Sequence, residues 1–230
     1  MSRAGEELSA DHLQGLFAEM SERLQERGLQ AQLFVVGGAA MALAYNHQRL
    51  TRDVDAVFAP SREVRDIAEE IADRHQLEPD WLNDGAKGFM PSTDENPRTV
   101  FESESLLVQV PSPEYLLAMK LHASRDERDL NDAALLFNKA GYTEAEQAVD
   151  LLSRSYPAAM LLPKHRYVTD EVAHRAADLR AKNRPTNLDS ARARSAERIQ
   201  QAVRELRPQQ ADTQPRARGL KEPPSSKHGL

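Results

Sequence analysis

Leu33-Phe34-Val35-Val36-Gly37-Gly38-Ala39, followed one short segment later by Arg49-Leu50-Thr51-Arg52-Asp53-Val54-Asp55-Ala56-Val57-Phe58, decides the fold. The run Gln32 to Val36 is short, apolar and β-branched, which predicts a buried strand. Gly37-Gly38 closes it, and Ala39 to Tyr45 returns to residues that favour helix. Val54 to Phe58, bounded by Pro60, reads as a second strand. A strand, a tight turn, a short helix and another strand are therefore expected within about thirty residues of chain.

Working outward, Ser9 is a plausible N-cap for an amphipathic helix whose stripe is Leu13, Leu16, Phe17, Met20 and Leu24, ended near Gly28. Ser61 to Gln76 places Val64, Ile67, Ile71 and Ala72 on one helical face. Pro79 to Pro97 is rich in turn residues and reads as loop. Arg98 to Phe101 and Leu106 to Val110 read as two more strands, and Pro111 and Pro113 end the sheet and open a helix. From there apolar residues follow helical spacing, with Ser124-Arg-Asp-Glu127 in the form of a capping box and later helices expected over Thr169 to Ala181 and Asp189 to Leu206. The fold class expected is α+β: a small mixed β-sheet flanked by helices, followed by a C-terminal helical region. The expected division is an N-terminal helix (1–30) packing on a core (31–140), a helical region (141–206) and a disordered basic tail (207–230).

The 230 residues suffice for one core of ordinary size with an appendage. No cysteine is present, so thiolate metal sites and disulfides are excluded and any metal falls to carboxylates, histidines or phosphates. No apolar run is long enough to cross a bilayer, and no apolar stretch follows basic residues near the start, so a cytoplasmic protein is expected. The net charge of −6 is uneven: residues 1–163 carry −13 and residues 164–230 carry +7. A basic C-terminal third is suited to a polyanion such as RNA, although arginine-rich helices are also often merely well solvated.

Asp53 and Asp55 stand two apart at the start of a strand, so their side chains project from the same face. Like charges so placed repel unless a cation lies between them. Gly37-Gly38 between a strand and a helix presents backbone N–H groups suited to phosphate. Either feature alone is common: surface turns often carry Asp-x-Asp, and Gly-Gly often serves only a tight turn. Together they describe a site for a metal-bound nucleotide. His47 and Trp81 have no spacing that implies a role and read as packing or loop residues.

Val36-Gly37-Gly38-Ala39 with Arg49-x-Thr51-x-Asp53-Val54-Asp55 resembles the DNA-polymerase-β-like nucleotidyltransferase superfamily, within it most of all the AbiEii and MenT-type toxin nucleotidyltransferases. That group also carries a downstream Lys and Arg-Asp segment, here Met119-Lys120-Leu121-His122-Ala123, Arg125 and Arg128-Asp129-Leu130-Asn131-Asp132. The resemblance covers about Leu33 to Phe137. It implies a nucleotidyltransferase core in which Gly37 and Gly38 hold the triphosphate, Asp53 and Asp55 bind Mg²⁺ (or Mn²⁺), Lys120 contacts phosphates and Asp129 completes the site. Arg49 is placed to meet a phosphate, and it and Thr51 otherwise hold the approach to the strand. By resemblance the partners are a nucleoside triphosphate as substrate, tRNA as acceptor at its 3′ end and a cognate antitoxin, with the segment Arg175 to Arg218 as docking surface. Alternatives left open are a small-molecule or protein acceptor, or a non-catalytic member that binds nucleotide or a partner.

Two points of geometry follow. Along an unbroken helix, Lys120 and Asp129 would lie roughly 13 Å apart on opposite faces, so they converge only if the chain bends between them, near Ser124. Arg125 with Asp129, and Arg128 with Asp132, also have the spacing of ordinary helical ion pairs. Many superfamily members use a third carboxylate on a neighbouring strand, yet Leu106 to Val110 has no acid. Glu102, Glu104 or Asp129 are the candidates.

Overall fold

The computed structural model describes residues 7–124, 126–184, 195–201, 203 and 204. The decisive stretch folds as expected. Strand β1 (Ala31–Val35) runs into the short helix α2 (Gly37–Ala40), which continues as a π-helical turn over Met41–Tyr45, and the chain returns as β2 (Val54–Ala59). Helix α1 (Ala10–Glu26) precedes them, with the Ser9 hydroxyl accepting from His12 N–H at 3.2 Å. Helix α3 (Ser61–His75), strands β3 (Leu82–Asn83), β4 (Arg98–Glu102) and β5 (Leu106–Val110), and helices α4 (Pro113–Ala123), α5 (Glu127–Lys139), α6 (Ala145–Ser155) and α7 (Lys164–Lys182) follow.

The five strands form one mixed sheet in the order β3-β2-β1-β5-β4. β1 pairs antiparallel with β2 and parallel with β5. Alternation along the strands gives the two faces different fates. Ala31, Leu33 and Val35 of β1, Val54, Ala56 and Phe58 of β2, and Leu106, Val108 and Val110 of β5 are all buried, and α1 and α3 pack beside this part of the sheet. The opposite face carries Phe34, Asp55, Val57 and Gln109, all only partly buried. The Tyr115 ring of α4 meets Phe34 edge-on at 5.8 Å. A carboxylate on β2 is thus tolerated because it stands on the half-open face.

Three expectations need correction. The segment 79–97 is not loop throughout: β3 adds to the sheet edge, with Val54 N–H donating to Trp81 C=O at 2.6 Å, and a 3-10 turn follows over Gly85–Phe89. Trp81 is a core residue, 1% exposed, its indole N–H donating to Ala68 C=O at 2.9 Å. Ser124 does not cap α5. Its N–H still donates to Lys120 C=O, so it completes the preceding helix, and the Asp126 carboxylate caps α5 by accepting from Asp129 N–H at 2.9 Å. Glu127, assigned to reach back to Ser124, instead pairs with Arg175 at 2.6 Å. Finally, α7 begins at Lys164, five residues before Thr169.

Among the described residues, those up to Asn183 form one compact unit, and those from Arg184 belong to a second. In the second, residues 195–201, 203 and 204 are helical, in agreement with the helix expected over Asp189 to Leu206. The remainder of that helix and the tail expected from Arg207 lie outside the described residues. Among the described residues no helix is long and apolar enough to cross a membrane.

Trp81 fills the join between α3 and the short β3. Trp81→Ala is expected to lower stability by about 3–5 kcal/mol, read as a lower urea midpoint with unchanged slope.

Candidate active site

The corner between β1 and α2 is shaped by what touches it. Gly37 has φ +64, and a Cβ there would stand 3.0 Å from Asp55 Oδ2. At Gly38 a Cβ would stand 2.7 Å from Thr51 Oγ1 and 3.6 Å from an Arg49 terminal nitrogen. Both glycines are required by close approach, and the groups approaching them belong to the Arg49 to Asp55 segment. That segment is itself pinned: Thr51 pairs through its backbone with Leu8, and its hydroxyl donates to Asp53 C=O at 3.0 Å. The Asp53 carboxylate is exposed and has no partner among the described residues, while Asp55 is half buried against the Gly37 turn.

The other wall comes from α4 and α5. The chain turns between Ala123 and Glu127, and Lys120 Nζ reaches Asp129 Oδ1 at 2.8 Å and Asp132 Oδ2 at 2.9 Å. Lys120 is only 8% exposed and Asp132 5%, so this ammonium does not reach for solvent as an edge lysine would. Arg49 Nε lies 3.5 Å from Asp132 Oδ2. Lys120, Arg49, Asp129 and Asp132 therefore form a charge cluster, with Asp132 behind the wall and the other three at the cleft. An ammonium has three donors, and two of those of Lys120 are used among the described residues.

These walls face each other across a cleft of about 770 Å³. Gly37, Gly38, Arg49 and Thr51 line one side with Asp53 and Asp55, and Lys120 and Asp129 line the other. The glycines, Arg49, Thr51, Asp53, Asp55, Lys120 and Asp129 thus reach one cavity. Arg52 and Arg128 are exposed at its rim, and neither forms an ion pair among the described residues. Asp132 pairs with Lys120 and Arg49, and not with Arg128. Arg125 lies outside the described residues.

Asp132 was not assigned a place in the site from sequence. Its signal was available: Asp129 and Asp132 stand three apart, so both face the same neighbour from one helix. Glu102 and Glu104 do not belong to the site. β4 runs antiparallel to β5 and sets Glu102 opposite Leu107, while Gln30, just before β1, donates to Glu104 C=O. Both acids therefore sit at the end of the sheet remote from Gly37. On β5 the polar side chain sharing the Asp55 face is Gln109, an amide. Among the described residues no group of three or more His, Asp or Glu is placed to hold a metal. Asp53 and Asp55 are a pair, which suits a hard divalent cation held by one or two carboxylates together with substrate phosphates.

Two residues beyond Lys120 on α4, the His122 ring stacks on Tyr156 at 4.2 Å and meets His165 at 5.1 Å. Burial, then the neighbouring His122, hold the His165 imidazole below its ordinary value. Burial, then Asp94, push the Tyr115 phenol up to about 12, so it stays neutral beside Phe34.

Residues 11–139, more than half of the chain, match the family described as nucleotidyltransferase of unknown function (DUF6036). The chain belongs to this family. No curated protein and no solved structure matches it. The nucleotidyltransferase match spans β1 through α5, the elements that carry both walls of the cleft.

Gly38→Ala places a methyl against the Thr51 hydroxyl and is expected to cost about 1–3 kcal/mol. Gly38→Ala/Thr51→Ala relieves the contact, so thermal denaturation of the double variant is expected to recover most of that loss.

Proposed function

We propose that this chain is a metal-dependent nucleotidyltransferase that moves a nucleotidyl group from a nucleoside triphosphate to the 3′-terminal hydroxyl of an RNA, with tRNA as the acceptor class. One observation carries the reading: the Gly37–Gly38 corner, the Asp53 and Asp55 carboxylates and the Lys120–Asp129 pair line a single cleft. Backbone N–H groups of the glycine turn receive phosphate oxygens there. Asp53 and Asp55 are the residues that would hold Mg²⁺ or Mn²⁺, which when bound supplies neutralisation of charge on the transferring phosphate. Lys120 turns its remaining donor to the leaving phosphates, steadied by Asp132 behind it. Asp129, whose Oδ1 lies 2.8 Å from Lys120 Nζ, accepts the proton of the attacking hydroxyl. That oxygen bonds to the α-phosphorus as the bond to the β-phosphate oxygen breaks, and pyrophosphate departs.

The RNA acceptor and a role as the toxin of a toxin–antitoxin pair in the cytoplasm rest on the resemblance to the AbiEii and MenT-type group and on Arg52 and Arg128 at the rim, which form no ion pair among the described residues. The docking surface expected from Arg175 onward is supported less well, because Arg175 is engaged by Glu127 and Glu171 and Arg180 by Asn138. Arg207, Arg216 and Arg218 lie outside the described residues.

Protein incubated with Mg²⁺ and each α-labelled nucleoside triphosphate is expected to label tRNA, but not added protein or small hydroxyl compounds. Asp53→Ala or Asp55→Ala is expected to lower the rate by about a thousandfold or more, and chelation of the metal to abolish it. Expression of the intact chain is expected to arrest growth, and that of Asp55→Ala not to. Absence of both label transfer and nucleotide binding sinks the reading.

A further inference from the structure

The cleft lining is of two chemical kinds. Beside the glycine corner, the carboxylates and Lys120, the same cavity is lined by Ala86, Phe89, Leu116, Met119 and Ala123, whose side chains carry no N–H, O–H or carbonyl. Phe89 is the unusual member. It is 52% exposed, although a phenylalanine ring ordinarily gains most by entering the core. Its backbone is nevertheless held from both sides. The buried Tyr156 hydroxyl donates to Phe89 C=O at 2.9 Å, and Tyr156 is itself stacked on His122 of α4. At the other end of the 3-10 turn, Gly85 N–H donates to Asn83 Oδ1 at 2.9 Å, and Asp84 pairs with Arg65 at 2.8 Å and Lys87 at 3.2 Å. A ring left half in solvent by a backbone tethered at both ends is offered to the cleft.

We infer that Phe89 is the stacking platform for the base of the nucleotide substrate, with Met119 and Ala123 completing an apolar slot that selects by ring area rather than by hydrogen bonds to the base edge. This rests on the nucleotidyl-transfer reading. Anchoring of the triphosphate at Gly37 and Gly38 leaves the base to the rest of the same cavity, and Phe89 is the one aromatic ring among the described residues that line it. Stacking tolerates every base because each has such a face, and a purine presents the larger one. The site is therefore permissive, ranking purine above pyrimidine nucleotides.

Binding of ATP, CTP and inorganic triphosphate to the full chain, in the presence of Mg²⁺, separates base from phosphate. ATP is expected to bind roughly tenfold or more tighter than inorganic triphosphate, the order of one stacked base, with CTP between them. Phe89→Ala is expected to bring ATP down to the level of inorganic triphosphate while leaving the latter unchanged, and Phe89→Trp to restore the difference. Quenching of a 2-aminopurine nucleotide triphosphate should follow the same order. If Phe89→Ala binds ATP as the parent does while inorganic triphosphate still binds, the platform is overturned and nucleotidyl transfer stands. If neither ATP nor inorganic triphosphate binds the parent protein, both fall.

Discussion

An ammonium group taken out of water must be paired, and Lys120 is the residue on which this demand shapes the chain. It sits on α4 among Leu116, Leu117, Met119 and Leu121, all buried. Desolvating such a charge costs several kcal/mol unless good partners replace the water. Asp129 and Asp132 supply them, and they can do so only because α4 stops at Ala123 and α5 starts afresh at Glu127. Arg49 then joins Asp132 from the connection between α2 and β2. A buried ion cluster of this kind is weak evidence for stability, since apolar side chains often pack as well. Its effect is positional: it fixes where Lys120 and Asp129 point, and it ties the helical wall to the segment carrying Asp53 and Asp55.

The opposite wall obeys a steric rule. Asp55 stands on the partly open face of the sheet, at the register where β1 gives way to the glycine turn, with Val36 N–H donating to Asp55 C=O at 2.8 Å. The carboxylate needs the space that a side chain at position 37 would fill, and the Thr51 hydroxyl needs the space at 38. Glycine pair and acid pair are consequently one unit, though some fifteen residues of chain separate them. Their spacing in sequence reflects the short helix and π-helical turn that return the chain to the antiparallel strand.

Much of this was legible because each feature had a local signature. β1, the Gly37–Gly38 turn, β2 and the α1 cap follow from alternation, glycine placement and the serine before an amphipathic run. The convergence of Lys120 on Asp129 was implied by the resemblance, and a distance argument showed that it required a bend, even though the cap was assigned to Ser124 instead of Asp126. Two residues competed for that cap, and Glu127, needed to complete the box at Ser124, found Arg175 on α7 instead. Such a partner forty-eight residues away leaves no local trace. β3 was missed for the same reason: a strand of two residues has no periodicity, and it exists because Val54 offers it an edge. Phe89 lies in that turn-rich segment, where composition says loop and cannot say which ring faces a cavity.

The number of acids in the site bears on how the proposed reaction is ordered. With Glu102 and Glu104 at the far end of the sheet and Gln109 neutral, Asp53 and Asp55 stand without a third acid from the strands. A hard divalent cation demands about six oxygen ligands and gives up water reluctantly. If Asp53 and Asp55 hold the proposed cation, two side chains would leave most of those positions to water and to phosphate oxygens, and affinity for cation and for triphosphate would be coupled, each raising the other by the same factor. The Asp129 carboxylate is already engaged with Lys120 at 2.8 Å. It therefore serves the proposed chemistry better as a proton acceptor at the acceptor hydroxyl than as a replacement for the missing acid, since joining a cation would set the ammonium against it.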